Sequence, residues 1–201
     1  MVTTMALDHS CQVQRHPLSE RGNDAYMTPP CATEALLRVE KDLPRRIWEC
    51  ACGDGTGILD VLRAAGHEVI GSDIGNFGRP DCFWERDFLG ETRMPAGCTT
   101  IVTNPPYKLC ARSAPFVRHA LDIADTVILL MRLAFYESRS RTEILEHRGL
   151  RSIRTFTLRL PMMHRDSWCG RKANSGMAFC WMRWDRGYIG PTIISRISWE
   201  R

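Results

Sequence analysis

Apolar positions recur along the chain at two spacings, and the spacing switches repeatedly. Thr28-Pro29-Pro30 opens a helical stretch. Thr28 is a capping residue type, Pro29 suits a first helical position, and Ala35, Leu36, Leu37 and Val39 supply an apolar face. Arg46 to Ala51 reads as a short strand entering a glycine-rich turn, Ile58 to Ala65 as a helix stopped by Gly66, and Glu68 to Ser72 as a second strand ending on Asp73. Farther on, Thr99 to Thr103 is a β-branched strand, Ala114 to Ile123 a helix, Thr126 to Met131 a strand, and Arg141 to His147 a helix before Gly149. Arg151 to Leu160 and Met177 to Trp184 read as two strands joined by a polar loop with no helix between them. Repeated strand-helix units ending in such a pair predict an α/β fold. Its sheet is mainly parallel with an antiparallel C-terminal strand, and helices cover both faces. The chain divides into a loose arm over 1–22, one domain over 23–184 and a tail over 185–201, with no second domain for target recognition.

The turn after the first strand is Glu49-Cys50-Ala51-Cys52-Gly53-Asp54-Gly55-Thr56-Gly57. Glycines here let the backbone approach a ligand, and amides at the following helix start suit an anionic group. Asp73, at the end of the next strand, is placed to accept hydrogen bonds from both hydroxyls of a ribose. No Gly-Lys-Ser/Thr follows, so the turn is not a phosphate-binding P-loop. A nicotinamide enzyme and a methyltransferase both fit at this point. Asp87-Phe88, at a third strand end, favours the second, because a carboxylate followed by an aromatic can hold and cover an adenine.

Asn104-Pro105-Pro106-Tyr107 lies just past the strand Thr99 to Thr103. Each proline fixes its own φ and drives the residue before it out of helical space, so Asn104 and Pro105 are both held extended. An exocyclic amine of a base is a poor nucleophile because its lone pair is delocalised into the ring. Two acceptors, Asn104 Oδ1 and the Pro105 carbonyl, gripping its two hydrogens favour a pyramidal nitrogen and restore that lone pair, and Tyr107 stacks on the base. Such catalysis is positional and electrostatic, with a methyl group delivered in line from a sulfonium; it needs no metal and no strong base.

Composition narrows the setting. With 201 residues, 44% hydrophobic and 25% charged, the chain is long enough for a substantial core. Its apolar run Val127 to Met131 is broken by Arg132, and no signal pattern opens the chain, which points to the cytoplasm without a membrane span. Nine cysteines, none in C-x-x-C spacing, read as reduced thiols rather than metal ligands. The net charge is +4, yet Arg132 to Lys172 holds ten basic residues against four acidic ones. That stretch is either a solvated face or a phosphate-contacting surface, with Arg165, Arg171 and Lys172 as its nucleic-acid-binding candidates.

From Tyr26 to Trp184 the chain resembles the amino-methyltransferases of DNA, specifically those in which the cofactor motif precedes the catalytic one. It looks most like the small adenine methyltransferases of phages and prophages. Tyr26-x-Thr28-Pro29 is similar to the family's N-terminal cofactor motif, Glu49 to Gly55 to its glycine-rich motif, and Asn104-Pro105-Pro106-Tyr107 to its catalytic signature. The resemblance implies a Rossmann-like class I methyltransferase using S-adenosyl-L-methionine. Thr28, Glu49, Ala51, Gly53, Gly55, Asp73, Asp87 and Phe88 would line its cofactor pocket. Asn104, Pro105, Pro106 and Tyr107 would act on the target amine. A second base-stacking aromatic is expected after the sixth strand, where the loop reads Pro161-Met-Met-His-Arg-Asp-Ser-Trp168 and Trp168 is the candidate.

The expected activity is methylation of adenine in DNA with low or short sequence specificity. RNA adenine, DNA cytosine and a protein glutamine amide share this chemistry. A nucleic-acid-binding protein without catalysis leaves the intact Asn104 to Tyr107 segment and Asp73 unexplained, and a nicotinamide oxidoreductase leaves that segment unexplained.

Overall fold

In Thr126–Arg132 every residue from Val127 to Met131 is buried. Successive side chains of a strand point to opposite faces, so a continuous apolar run marks a strand covered on both sides. The computed structural model, which describes residues 27–146, 148–162 and 177–200, shows this directly. Val127, Leu129 and Met131 join one core cluster, and Ile128 and Leu130 join the other.

Eight strands form a single sheet: β1 (Arg46–Glu49), β2 (Glu68–Ser72), β3 (Cys82–Phe83), β4 (Thr100–Thr103), β5 (Thr126–Arg132), β6 (Leu150–Phe156), β7 (Phe179–Asp185) and β8 (Ile193–Ile197). Their order is β3-β2-β1-β4-β5-β7-β6-β8. Strands β1 to β5 pair in parallel, and β7 runs antiparallel between β5 and β6. Helices α1 (Pro30–Val39) and α2 (Leu59–Ala64) supply Ala32, Leu36, Leu59 and Leu62 to one core. On the other face, α3 (Pro115–Ile123) and α4 (Thr142–Glu146) supply Phe116, Val117, Ala120 and Ile144.

Three local expectations are corrected. Helix α1 begins at Pro30 with Pro29 at its N-cap and no side-chain cap bond, so Thr28 does not cap it. Residues 185–201 are not merely a tail, because β8 pairs in parallel with β6 and extends the sheet. Strand β8 is also tied by Arg154 Nη1 to Ser195 Oγ (2.8 Å) and by Thr192 Oγ1 to the Leu150 carbonyl (2.8 Å). The strand before Asp87 is only Cys82–Phe83 and ends four residues earlier. The arm over 1–22 lies outside the described residues.

In this order the chain turns from one half of the sheet to the other between β1 and β4. Open α/β sheets bind ligands outside the carboxyl ends of their strands at such a switch point. Trp48 of β1 pairs with Ile101 of β4, so three residues farther along each strand are Ala51 of the glycine turn and Asn104. The two motifs therefore leave neighbouring strands at the same level, about one strand spacing of ~4.8 Å apart.

Candidate active site

The glycine turn is held from several sides. Gly53 and Gly55 adopt φ of 54° and 74°, backbone that side-chain-bearing residues rarely accept. The Gly53 amide donates to Asp73 Oδ2 (2.9 Å), the Gly75 amide to Asp73 Oδ1 (2.8 Å) and the Cys52 amide to the Ser72 carbonyl (3.0 Å). Each Asp73 oxygen keeps a second lone pair for a ligand hydroxyl. Arg79, which no sequence motif marks, braces the turn from outside. It makes two 2.8 Å bonds to the carboxylate of Asp60 and one of 3.1 Å to the Asp54 carbonyl.

Residues 27–29 lie directly on this turn. A Cβ at Gly57 would stand 1.9 Å from the Thr28 carbonyl oxygen, and Thr33 Oγ1 donates to the Gly57 carbonyl (2.7 Å). Gly57→Ala must therefore push backbone away from backbone, which costs about 1–3 kcal/mol. The expected outcome is a melting temperature lower by roughly 3–10 °C by circular dichroism. An unchanged melting temperature would show that the Thr28 segment can move freely.

Glu49 ends β1 with only 2% of its surface exposed, and its Oε2 has no hydrogen-bond partner among the described residues. Burial, then the charge of Asp73, push its carboxyl well above the usual range, opposed by a backbone hydrogen bond from Leu59. A buried carboxyl with an idle oxygen beside the glycine turn can accept from a cationic or hydrogen-donating group. Ile74, immediately after Asp73, is 69% exposed, and the Phe77 ring lies against Gly75.

Asp87 N-caps the short 3-10 helix Phe88–Gly90, accepting from the Leu89 amide at 3.0 Å. Phe88 does not cover an open site. Its ring is 5% exposed and packs 4.5 Å from Phe116, 4.9 Å from His119 and 5.3 Å from Trp48 between ring centroids. It is committed to the core, where it anchors the turn that presents Asp87.

The Asn104 segment leaves β4 with no cis peptide bond and turns into a 3-10 helix, Tyr107–Cys110. Tyr107 Oη donates to Asn104 Oδ1 (2.6 Å) and approaches the Leu130 carbonyl (3.3 Å), which fixes the amide's orientation. The Tyr107 ring is not an open stacking platform. It is 6% exposed, lies 5.7 Å from Phe179 and carries the Arg132 guanidinium 4.5 Å above its centroid. Arg132 ends β5, and in the sequence it shows only as the charge that closes an apolar run and opens the basic stretch.

That stretch is now divided. Arg148 pairs with Asp122 and Glu143, Arg151 with Asp42 and Asp185, and Arg154 with Glu40. These arginines are neutralised by acids, of which Glu40, Asp42, Asp122 and Asp185 come from outside the stretch and Glu143 from within it. Trp168, Arg165, Arg171 and Lys172 lie outside the described residues. All seven described cysteines are free thiols, and burial pushes those of Cys50 and Cys52 up. No helix among the described residues is long and apolar enough to cross a membrane.

No family model matches the chain, and no curated protein does. Solved structures do share its fold. A protein of Pyrococcus horikoshii provisionally named an RNA methyltransferase aligns over 83% of this chain and 88% of its own, with TM-score 0.59 and 18% identity. One of Lactococcus lactis provisionally named a hemolysin aligns over 84% and 91%, with TM-score 0.55 and 12% identity. A dimethyladenosine transferase of Plasmodium falciparum aligns over 80% and 62%, with TM-score 0.51 and 12% identity. The fold is that of the class I methyltransferases, a mostly parallel sheet with the antiparallel β7 inserted beside β5.

Proposed function

We propose that the protein transfers a methyl group from S-adenosylmethionine to the exocyclic amino group of adenine in DNA, with little sequence selectivity. One observation carries this reading: Asn104-Pro105-Pro106-Tyr107 and the glycine turn leave adjacent strands β4 and β1 at the switch point of a methyltransferase fold. The cofactor, when bound, supplies an electrophilic methyl group on sulfur. Glu49 fits its cationic amine, Asp73 its ribose hydroxyls and Asp87 its adenine amine. Ala51, Gly53 and Gly55 leave room for its chain. Thr28 lies against Gly57 of the turn, and Phe88, packed in the core, anchors the chain next to Asp87.

Asn104 Oδ1, oriented by Tyr107, and the Pro105 carbonyl accept the two hydrogens of the target amine. Pro106 holds Pro105 extended. Gripped in this way, the amine would present its lone pair to the methyl group that the cofactor would supply, and the proton the nitrogen gives up would pass from the Asn104 Oδ1 and Pro105 carbonyl acceptors to water. For Tyr107 to stack on the base, Arg132 must first leave its ring face.

RNA is the second reading, favoured by neighbours named as an RNA methyltransferase and a dimethyladenosine transferase. The test incubates the protein with methyl-labelled cofactor and separate DNA, RNA and protein acceptors, then digests the product. N6-methyladenine in DNA is the expected result. Label in RNA alone selects the second reading, and label in protein alone rejects both.

A further inference from the structure

Beyond the catalytic segment the chain builds a second feature on the same end of the sheet. Strand β5 runs into a 3-10 helix, Leu133–Tyr136, and a second, Arg139–Arg141, before α4. These turns are strapped to the loop that follows Asn104-Pro105-Pro106-Tyr107. Arg141 Nη1 reaches the Cys110 carbonyl (3.4 Å), and Ser140 Oγ donates to the Arg112 carbonyl (3.2 Å). Arg141 is itself immobilised, with its guanidinium 4.4 Å over the Phe135 ring and further bonds to the carbonyls of Ala134 and Glu137. The strapped loop is strained, since Arg112 and Ala114 both have positive φ, of 48° and 50°. Non-glycine residues held this way cost about 1–3 kcal/mol each and persist where the surroundings impose them.

On this platform lies an open cleft of about 370 Å³, lined by Tyr136, Ser138, Arg139, Thr142, Leu145 and Glu146. Tyr136 is 44% exposed, so a face of its ring is open to a ligand. Arg139 is exposed, and among the described residues neither it nor Arg112 makes an ion pair, unlike Arg148 and the β6 arginines Arg151 and Arg154. The lining therefore offers a flat aromatic face with its phenol, a cation and one carboxylate within a small volume, while the Ser138 and Thr142 hydroxyls already bond Ser140 Oγ and the Arg139 carbonyl. A simple anion would be repelled by Glu146, and an apolar ligand would leave Arg139 and Glu146 unanswered. A nucleotide satisfies them together: ring on ring, phosphate on guanidinium, and base or sugar donors on Glu146.

We infer that this cleft binds the nucleotide flanking the target base, with Tyr136 stacking on its ring and Arg139 meeting its phosphate. The inference rests on the proposed action on a polynucleotide and locates a substrate contact within the catalytic domain, apart from the cofactor pocket and from the amine acceptors.

The test uses the full chain with a fluorescein-labelled single-stranded oligonucleotide of about 12 nucleotides, long enough to span a local stacking groove. Tyr136→Ala is expected to weaken binding by about 5- to 100-fold in anisotropy, and Tyr136→Phe, which keeps the ring, by no more than about twofold. Arg139→Ala should weaken binding equally on all sequences and reduce the slope of log affinity against log salt by about one phosphate contact. Calorimetric affinity for S-adenosylmethionine should stay at the parent value in all three, which separates a lost contact from a damaged fold. In parallel, 2-aminopurine placed next to the target adenine, on each side in turn, should be quenched by the parent and relieved by Tyr136→Ala. Parent-like affinity and quenching in Tyr136→Ala would overturn the inference and leave the proposed function standing. A parent that binds no oligonucleotide at all would overturn both.

Discussion

Asn104→Ala is expected to lose at least ~100-fold in turnover while its affinity for S-adenosylmethionine changes by less than about threefold. The asymmetry follows from where Asn104 sits. It leaves β4 one residue past Thr103, three residues beyond the last pairing of β4 with β1, whereas the glycine turn is held by Asp73, Ser72 and Arg79. Its Oδ1 already accepts from Tyr107 Oη at 2.6 Å, so the amide is turned before substrate arrives and spends no reorganisation in the transition state. Removing it deletes an acceptor from the reacting nitrogen and takes from the Tyr107 hydroxyl its shorter bond, leaving it the Leu130 carbonyl at 3.3 Å.

Tyr107→Phe separates these two effects. It keeps the ring that Arg132 covers but removes the bond that orients Asn104, so kcat should fall by an intermediate amount, roughly tenfold, with little change in KM. Stopped assays with labelled cofactor and a saturating polynucleotide measure both variants. An Asn104→Ala enzyme within about threefold of the parent would remove Asn104 from the chemistry.

Much of this site can be read without coordinates because it consists of short local signals. Glycine turns, a strand ending on an acid and a double proline each restrict the backbone within a few residues, and parallel strands bring such ends to one side of the sheet. What could not be read depends on distant partners. Nothing around Tyr107 says that Arg132, twenty-five residues on, will lie over its ring, or that Phe88 will pack among Trp48, Phe116 and His119 rather than face a ligand.

Strand β3 has two residues, too few to show a period, and forms only because β2 offers Gly71 and Ser72 as partners. Strand β8 has only the β-branched run Thr192-Ile193-Ile194 as its signal, with Ile193 and Ile194 half exposed at the sheet edge. The basic stretch misleads for the same reason. Its charge count is visible in the sequence, but the acids that absorb Arg148, Arg151 and Arg154 come from α1 and its exit, α3, α4 and β7.

Glu49→Gln should change two properties in opposite directions. In the folded protein the Glu49 carboxyl is buried beside Asp73 with one oxygen unsatisfied, and its pKa stands well above the usual 4.5. Between that unfolded value and the raised folded one, the native state holds a proton that the unfolded chain has released, so stability falls as pH rises through the window. The contribution of this group is complete below 4.5 and is lost on approaching the folded pKa. Glutamine has nearly the same shape and no charge to bury, so the variant should melt higher than the parent, by roughly 2–8 °C near pH 8. The gap should close as the pH is lowered toward 5.

Affinity for S-adenosylmethionine should fall at the same time by about 10- to 100-fold, because a hydrogen bond to a charged group is typically worth ~1.5–3 kcal/mol. Saturating cofactor should then stabilise the parent more than the variant, since ligand that binds only the native state adds RT ln(1 + [L]/Kd). Scanning calorimetry from pH 5 to 8, with and without cofactor, reads every part of this. A variant that melts no higher than the parent at any pH and binds the cofactor equally well would mean that Glu49 is a silent core residue and that the amine of the ligand finds its partner elsewhere.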